Sequence, residues 1–288
     1  VLGGLARRVS LVEKLGSEDR SLLVVDSGNL FTGAWAGANQ KQSHIKARLI
    51  SRAYMRMGVA AINVGDLDLL QGLAFLRKEA SRGLPLVSSN LVDPSTKTSI
   101  VKPYIIKKVG SIRVAFFGLL SADIRTDIYK EAGKTFLVAE PVKTAREMIG
   151  LLRGKADVII LLSALPSDRQ QEVVRAAPGI HFVLGGRDCR YVQSPLWEGQ
   201  TPILESYKYG MYSGKLQLTF VNASSPYSYE RTEEQARQQA SSGDELRTSR
   251  EPPSRNNRFH WTLIPMDRSI PEDKEVSGWI RKAGIEKD

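Results

Sequence analysis

Three histidines and one cysteine are the only imidazole and thiol groups in this 288-residue chain, and they limit the chemistry it can do. A lone Cys189 excludes an internal disulfide framework, a cysteine-rich metal cluster and a self-contained Cys-x-x-Cys-His haem site. Its thiol reads in two ways. It is either an inert, partly buried small residue, or a thiol whose neighbour Arg187 lowers its pKa and makes it reactive or able to link to another chain. His44 opens a helical pattern and His181 adjoins an apolar run; both these positions suit structural or surface histidines, and His260 stands apart from them. Asn222-Ala223-Ser224 matches a glycosylation sequon, a pattern too short to carry an argument alone.

Charge adds a tendency. Lys and Arg number 41 against 31 Asp and Glu, a formal net charge of +10, which favours contact with nucleic acid, an acidic protein or a membrane surface. The basic residues come as dispersed pairs, Arg7-Arg8, Lys107-Lys108 and Arg281-Lys282, without interleaved aromatics. That pattern reads as solvated faces rather than a nucleic-acid groove. No apolar run approaches the roughly 18–20 residues of a membrane helix, so no membrane span is expected. The sequence starts at Val1 with no basic-then-apolar leader, and localisation cannot be read from a signal.

Short β-rich apolar runs alternate with stretches of helical period as far as about residue 220. Strands are predicted at residues 21–26, 59–64, 85–90, 104–109, 112–119, 157–162, 181–184, 202–206 and 215–220. Leu5, Val9 and Val12 share one helical face, and Ile45, Leu49, Ala53 and Met57 share another. Further helices are predicted at 69–82, 141–153 and 168–177, with Pro141 in the first turn of the second and Ser167 or Asp168 capping the third. Gly110-Ser111 suits a two-residue hairpin turn, making the sheets mixed. About ten strands are buried best as two stacked sheets covered by helices. Residues 221–258 are too polar to bury much surface and read as a flexible insert, with 230–240 a helical candidate. Residues 259–288 read as a closing strand and a helix at 272–281 that docks on the core through Val276, Trp279 and Ile280.

Several blocks carry a family resemblance. Gly3-Gly4-Leu5-Ala6-Arg7-Arg8, the run Val24-Val25-Asp26-Ser27-Gly28-Asn29, Gly65-Asp66-Leu67-Asp68, Leu86-Val87-Ser88-Ser89-Asn90, Gly185-Gly186 and Tyr209-Gly210-Met211-Tyr212-Ser213-Gly214 occur in that order. Together they resemble the 5′-nucleotidase and 2′,3′-cyclic-nucleotide phosphodiesterase type of metallophosphoesterase, within the calcineurin-like superfamily. The resemblance covers most of residues 3–220. It implies an α/β fold, a four-layer αββα sandwich of two mixed sheets flanked by helices, with a core at 1–220 whose first strand is missing or lies upstream.

The resemblance also implies a two-metal centre, and each of its positions can be compared. The family's first ligand pair, an Asp-x-His, would lie upstream of Val1. Its bridging aspartate corresponds to Asn29, a neutral and poorer bridge. The Gly-Asn-His-Glu block corresponds to Gly65-Asp66-Leu67-Asp68, and Leu67 cannot donate a proton. A Ser-His pair has become Ser163-Ala164, and Gly-His-x-His has become Gly186-Arg187-Asp188-Cys189. A site with two metals needs about three or more ligands per ion, and only Asp66 and Cys189 stay compatible, with Asn29 marginal.

The catalytic positions Asn29, Leu67, Ala164 and Arg187 are therefore expected to be degenerate, in a vestigial site of Asp26, Asn29, Asp66, Asp68, Arg187 and Cys189. No cofactor and no bound metal are expected, with a divalent metal as the alternative. Arg187 is expected either to pair with Asp66, Asp68 or Asp26 in place of the metal charge, or to point into solvent. The leading expectation is a non-catalytic binding or scaffold protein of exported type, periplasmic or extracellular, that engages an acidic protein or other polyanion and assembles with another exported protein. The alternatives are a diverged metal-dependent nucleotidase or phosphodiesterase, which would use Asp26, Asp66 and Cys189, and a nucleotide- or phosphate-binding sensor without turnover.

Overall fold

The computed structural model describes residues 2–31, 40–123, 136–231 and 256–285. Helix α1 (Leu5–Glu18), strand β1 (Val25–Asp26), helix α2 (Gln40–Arg56) and strand β2 (Ala61–Asn63) come first. A 3-10 turn over Leu67–Gln71 leads into α3 (Leu73–Ser81), β3 (Leu86–Val87) and β4 (Leu91–Val92). The hairpin β5 (Tyr104–Val109) and β6 (Ile112–Leu120) is followed by β7 (Leu137–Val138), α4 (Pro141–Leu152), β8 (Val158–Ala164), α5 (Ser167–Ala176) and β9 (Phe182–Gly185). Strands β10 (Leu196–Glu198), β11 (Thr201–Glu205), β12 (Tyr212–Thr219), β13 (Tyr227–Tyr229) and β14 (Asn257–Pro265) precede helix α6 (Lys274–Lys282).

The near-continuous apolar runs of β6 and β8 place them in the interior of a six-stranded sheet, ordered β10-β11-β9-β8-β6-β5, because only a strand buried on both faces needs such a run. Its inner strands are parallel and its edge pairs, β5 with β6 and β10 with β11, are antiparallel. The hairpin closes at Gly110, whose φ of 58° is left-handed and carries no Cβ penalty in glycine.

Alternation along these strands creates two cores. Phe117, Leu119, Ile159 and Leu161 face Ala145 and Ile149 of α4 and Val173 of α5. Phe116, Ile160, Leu162 and Phe182 face Ala61, Val87, Phe259 and Trp261, which come from two three-stranded sheets, β1-β2-β3 and β12-β14-β13. A third core joins β2 and β3 to α1, α2, α3 and α6 through Val9, Tyr54, Ile62, Leu76, Leu86 and Val276. The layers are helix, sheet, sheet, helix. The second sheet layer is built from two separate three-stranded sheets, of which β1-β2-β3 is entirely parallel.

Several local expectations are corrected. The run 85–90 is a strand only at Leu86–Val87, because Ser88 N–H turns to the Lys102 carbonyl (2.9 Å) and Ser89 N–H to that of Gly118 (2.8 Å). Ala53 and Met57 are buried as expected, but the buried face of α2 also takes in Ala47, Ser51 and Tyr54 and leaves Ile45 exposed. The helix expected at 69–82 begins as the 3-10 turn and breaks at Gly72. Neither Ser167 nor Asp168 caps α5, whose cap position is Pro166. The short strands β4, β7, β10 and β13 carry no clear alternation in the sequence. Part of the expected polar insert is structured, since β13 pairs with β14 and Asn257 Oδ1 accepts from Val221 N–H (2.6 Å). Residues 232–255, including most of the helical candidate at 230–240, lie outside the described residues.

Candidate functional site

Parallel strands bring the segments that follow β1, β2, β8 and β9 to one edge of the two sheets. Asn29, after β1, and Asp68, after β2, bind these two loops together. Asn29 Oδ1 accepts from Leu67 N–H (2.9 Å), while Asp68 Oδ2 accepts from the N–H groups of Asn29 and Gly65 and its Oδ1 from that of Phe31, each at 2.8 Å. Gly65 permits the approach: a Cβ there would lie 2.1 Å from Asn29 Oδ1. Asp68 has no exposed surface, and burial pushes its carboxyl up to about 7, with the three N–H donors pulling the other way and the Asp26 charge adding to the rise.

Asp26 is engaged elsewhere. Its Oδ2 accepts from the Tyr54 hydroxyl (2.8 Å), its Oδ1 from Gly28 N–H (3.0 Å), and Tyr54 in turn accepts from the Arg8 guanidinium. Burial raises the Tyr54 hydroxyl far above its ordinary range, so it stays a neutral donor to Asp26. This chain from α1 through α2 to β1 explains the polar buried face of α2.

Arg187 arrives on the loop after β9, and the loop is fixed at several points. Gly186 N–H donates to the Ser163 carbonyl (3.0 Å). Asp188 Oδ2 accepts from Ser167 N–H (2.8 Å) and Ser167 Oγ (2.5 Å), placing a negative charge at the start of α5. Glu205, which is buried, accepts from Arg190 through the backbone N–H (2.9 Å), Nε (3.1 Å) and Nη2 (2.7 Å). Glycine is required here as well, since a Cβ on Gly186 would lie 2.9 Å from that of Ser27. Held this way, Arg187 Nη1 meets Asp66 Oδ2 at 2.5 Å, with the side chains 27% and 13% exposed. Of the three carboxylates considered for it, Arg187 meets Asp66; Asp68 and Asp26 have the partners described above.

The remaining positions are simpler. Ala164 is buried at the end of β8, and Leu67 donates its backbone N–H to Asn29. Cys189 has a left-handed φ of 54°, and burial, with Glu205 and Asp188 nearby, pushes its thiol up. The shift runs opposite to the lowered pKa expected of a thiol beside Arg187. His181 is structural, its Nδ1 accepting from Ile159 N–H (2.9 Å). His260 meets Glu230 at 3.0 Å, and the His44 ring packs near that of Phe75. Arg8, Tyr54, Glu205 and Arg190 were not foreseen as site residues; only the position of Arg8, inside the Gly-Gly-Leu-Ala-Arg-Arg block, was a signal for any of them.

As arranged, these residues do not fit a two-metal centre. Among the described residues no group of three or more His, Cys, Asp or Glu side chains converges in a way that could hold a metal ion. Asp66 faces a guanidinium and Asp68 is consumed by backbone donors.

No family model matches the chain. It is 24% identical over 207 residues to a 2′,3′-cyclic-nucleotide 2′-phosphodiesterase/3′-nucleotidase of Salmonella typhimurium, covering 64% of this chain and 32% of the relative. To a snake venom 5′-nucleotidase of Gloydius brevicauda it is 23% identical over 244 residues, covering 76% and 40%. The chain is a relative of the 5′-nucleotidases and 2′,3′-cyclic-nucleotide phosphodiesterases. It spans well under half the length of these two curated relatives. Its fold is that of the solved calcineurin-like phosphoesterase YfkN of Bacillus subtilis, with a TM-score of 0.71 at 17% identity over 98% of this chain and 88% of that one. The expectation of no cofactor is corrected by these relatives, which point to a divalent metal and not to none. Among the described residues no helix is long and apolar enough to cross a membrane.

Proposed function

We propose that this chain is a binding domain on the metallophosphoesterase fold that does not hydrolyse phosphoesters by the two-metal route. The observation that carries the proposal is the Arg187–Asp66 pair at the strand ends. A guanidinium is charged at all working pH values, so it supplies a fixed positive charge but no proton acceptor and no metal ligand. Leu67 contributes no proton donor from its side chain, and Asn29 is spent on the loop junction. Such a site holds its shape and its charge without activating water.

The partner we propose is an acidic protein or other polyanion, which the net charge of +10 favours. An exported setting, with assembly onto another exported protein, is in keeping with a relative named as a venom enzyme. The competing reading is a diverged metal-dependent phosphoesterase, and the activities in the relatives' names favour it. The test is turnover of a generic phosphodiester and a 5′-nucleotide by the purified protein, supplied with manganese or zinc, alongside its metal content. We expect hydrolysis at the level of the blank. Chelator-sensitive turnover with stoichiometric metal would establish the competing reading.

A further inference from the structure

Beside the Arg187 loop lies a surface that the proposed function does not use. The backbones of residues 190–191 and 206–207 run antiparallel, joined by the Tyr191–Ser206 bridge and by Tyr207 N–H donating to the Arg190 carbonyl (3.1 Å). On this frame the rings of Tyr191, Tyr207 and Tyr212 pack on one another at centroid separations of 4.9–6.1 Å. Tyr191 is nevertheless 45% exposed, and Tyr209, at the tip of the next turn, is 64% exposed. Large rings gathered and exposed together mark an interaction surface, whereas single exposed apolar residues do not.

Two further observations narrow what the surface takes. Tyr207 and Tyr209 have φ of 69° and 55°, the left-handed region that bulky residues avoid. Strain of this kind persists where the surroundings fix it, and it collects at binding sites. Here it presents the Tyr209 ring outward while Gly210 lies against the Arg8 guanidinium. Between the rings sits Lys208, its Nζ 5.5 Å from the centroids of both Tyr207 and Tyr209 and in no ion pair among the described residues. Glu205 pairs with Arg190, and Asp188 accepts hydrogen bonds from Ser167.

We infer that this tyrosine–lysine rim is a stacking platform for single-stranded nucleic acid. A flat base has a face to lay on an outward tyrosine, and the adjoining phosphate supplies the negative charge that Lys208 lacks. A polyanion without planar rings uses the lysine but leaves the strained tyrosines without a purpose. A duplex keeps its base faces covered. The inference does not depend on whether the strand-end site turns over.

The test is fluorescence anisotropy of a labelled oligothymidylate of about 15 nucleotides, titrated with the whole chain in low salt and excess chelator. The expected result is binding about tenfold tighter than that of an abasic strand of equal length and charge. Tyr209→Ala and Tyr191→Ala should each weaken binding about tenfold, and Tyr209→Phe should leave it unchanged. Lys208→Ala should weaken binding and flatten its salt dependence by about one phosphate contact, a slope change of about 0.7 on log axes. Tyr209→Gly, which keeps the left-handed turn and loses the ring, should behave as Tyr209→Ala, and melting curves confirm folding of each variant. Equal affinity for the abasic strand, tighter binding of duplex or of heparin, no binding of the oligothymidylate, or an undiminished Tyr209→Ala each overturns the inference. Because the chelator excludes metal-dependent turnover, these outcomes are independent of the hydrolysis assay.

Discussion

Arg187 and Asp66 lend themselves to a double-mutant cycle, using Arg187→Met, Asp66→Asn and the double variant. The pair is neither fully buried nor fully exposed: its side chains are 27% and 13% accessible and its atoms 2.5 Å apart. Exposed pairs contribute about 0–1 kcal/mol, while breaking a buried one costs about 3–5 kcal/mol because a charge is left desolvated. An intermediate coupling of about 1–2 kcal/mol follows. Arg187→Met should lose about 2 kcal/mol, a fall in Tm of about 4 °C for a chain of this size. Adding Asp66→Asn should recover part of that loss, since the stranded carboxylate is then gone. The assay is chemical denaturation of all four proteins at two salt concentrations. A solvent-facing pair loses most of its coupling at high salt, and this one should keep more than half. Additivity within about 0.3 kcal/mol would mean that the two side chains do not act on each other, and the fixed-charge account of the site would fall with it.

Asp68 and Glu205 give two further outcomes. The folded Asp68 carboxyl keeps its proton to about pH 7, whereas the unfolded one releases it near pH 4, so between those values the native state binds more protons and stability falls as pH rises. The loss is on the order of 4 kcal/mol across that window, and Asp68→Asn should flatten the profile of denaturation midpoint against pH; an unchanged profile would assign the slope to other groups. Glu205→Gln leaves the Arg190 guanidinium without its carboxylate, should cost about 2–4 kcal/mol, and should weaken the Arg187–Asp66 coupling through the freed loop; a variant that keeps the full coupling would separate the two.

Elements with local causes were legible in the sequence. Strand β5 is predicted to the residue and β6 within one, because their apolar runs and the Gly110-Ser111 turn are contiguous in the chain. Strand β13 was not legible: Tyr227-Ser228-Tyr229 is a strand because β14, about thirty residues later, offers it a partner. The buried face of α2 was legible only in part, at Ala53 and Met57, for a related reason. Helical periodicity finds apolar stripes, and here the core side carries Ser51 and a tyrosine whose hydroxyl serves Asp26. At the site, the residue types at Asn29, Leu67, Ala164 and Arg187 are plain in the sequence, but which carboxylate faces Arg187 is decided by backbone donors. No side-chain pattern announces that Asp68 is already saturated by three N–H groups.

That saturation makes one carboxylate a common anchor for two segments nearly forty residues apart in sequence. The amides of Asn29, Phe31 and Gly65 cannot exchange with solvent one at a time while Asp68 holds them all, so their protection against deuterium should be lost together, with a single opening free energy. The two loops behave as one latch, and a residue inserted in either would have to be answered in the other.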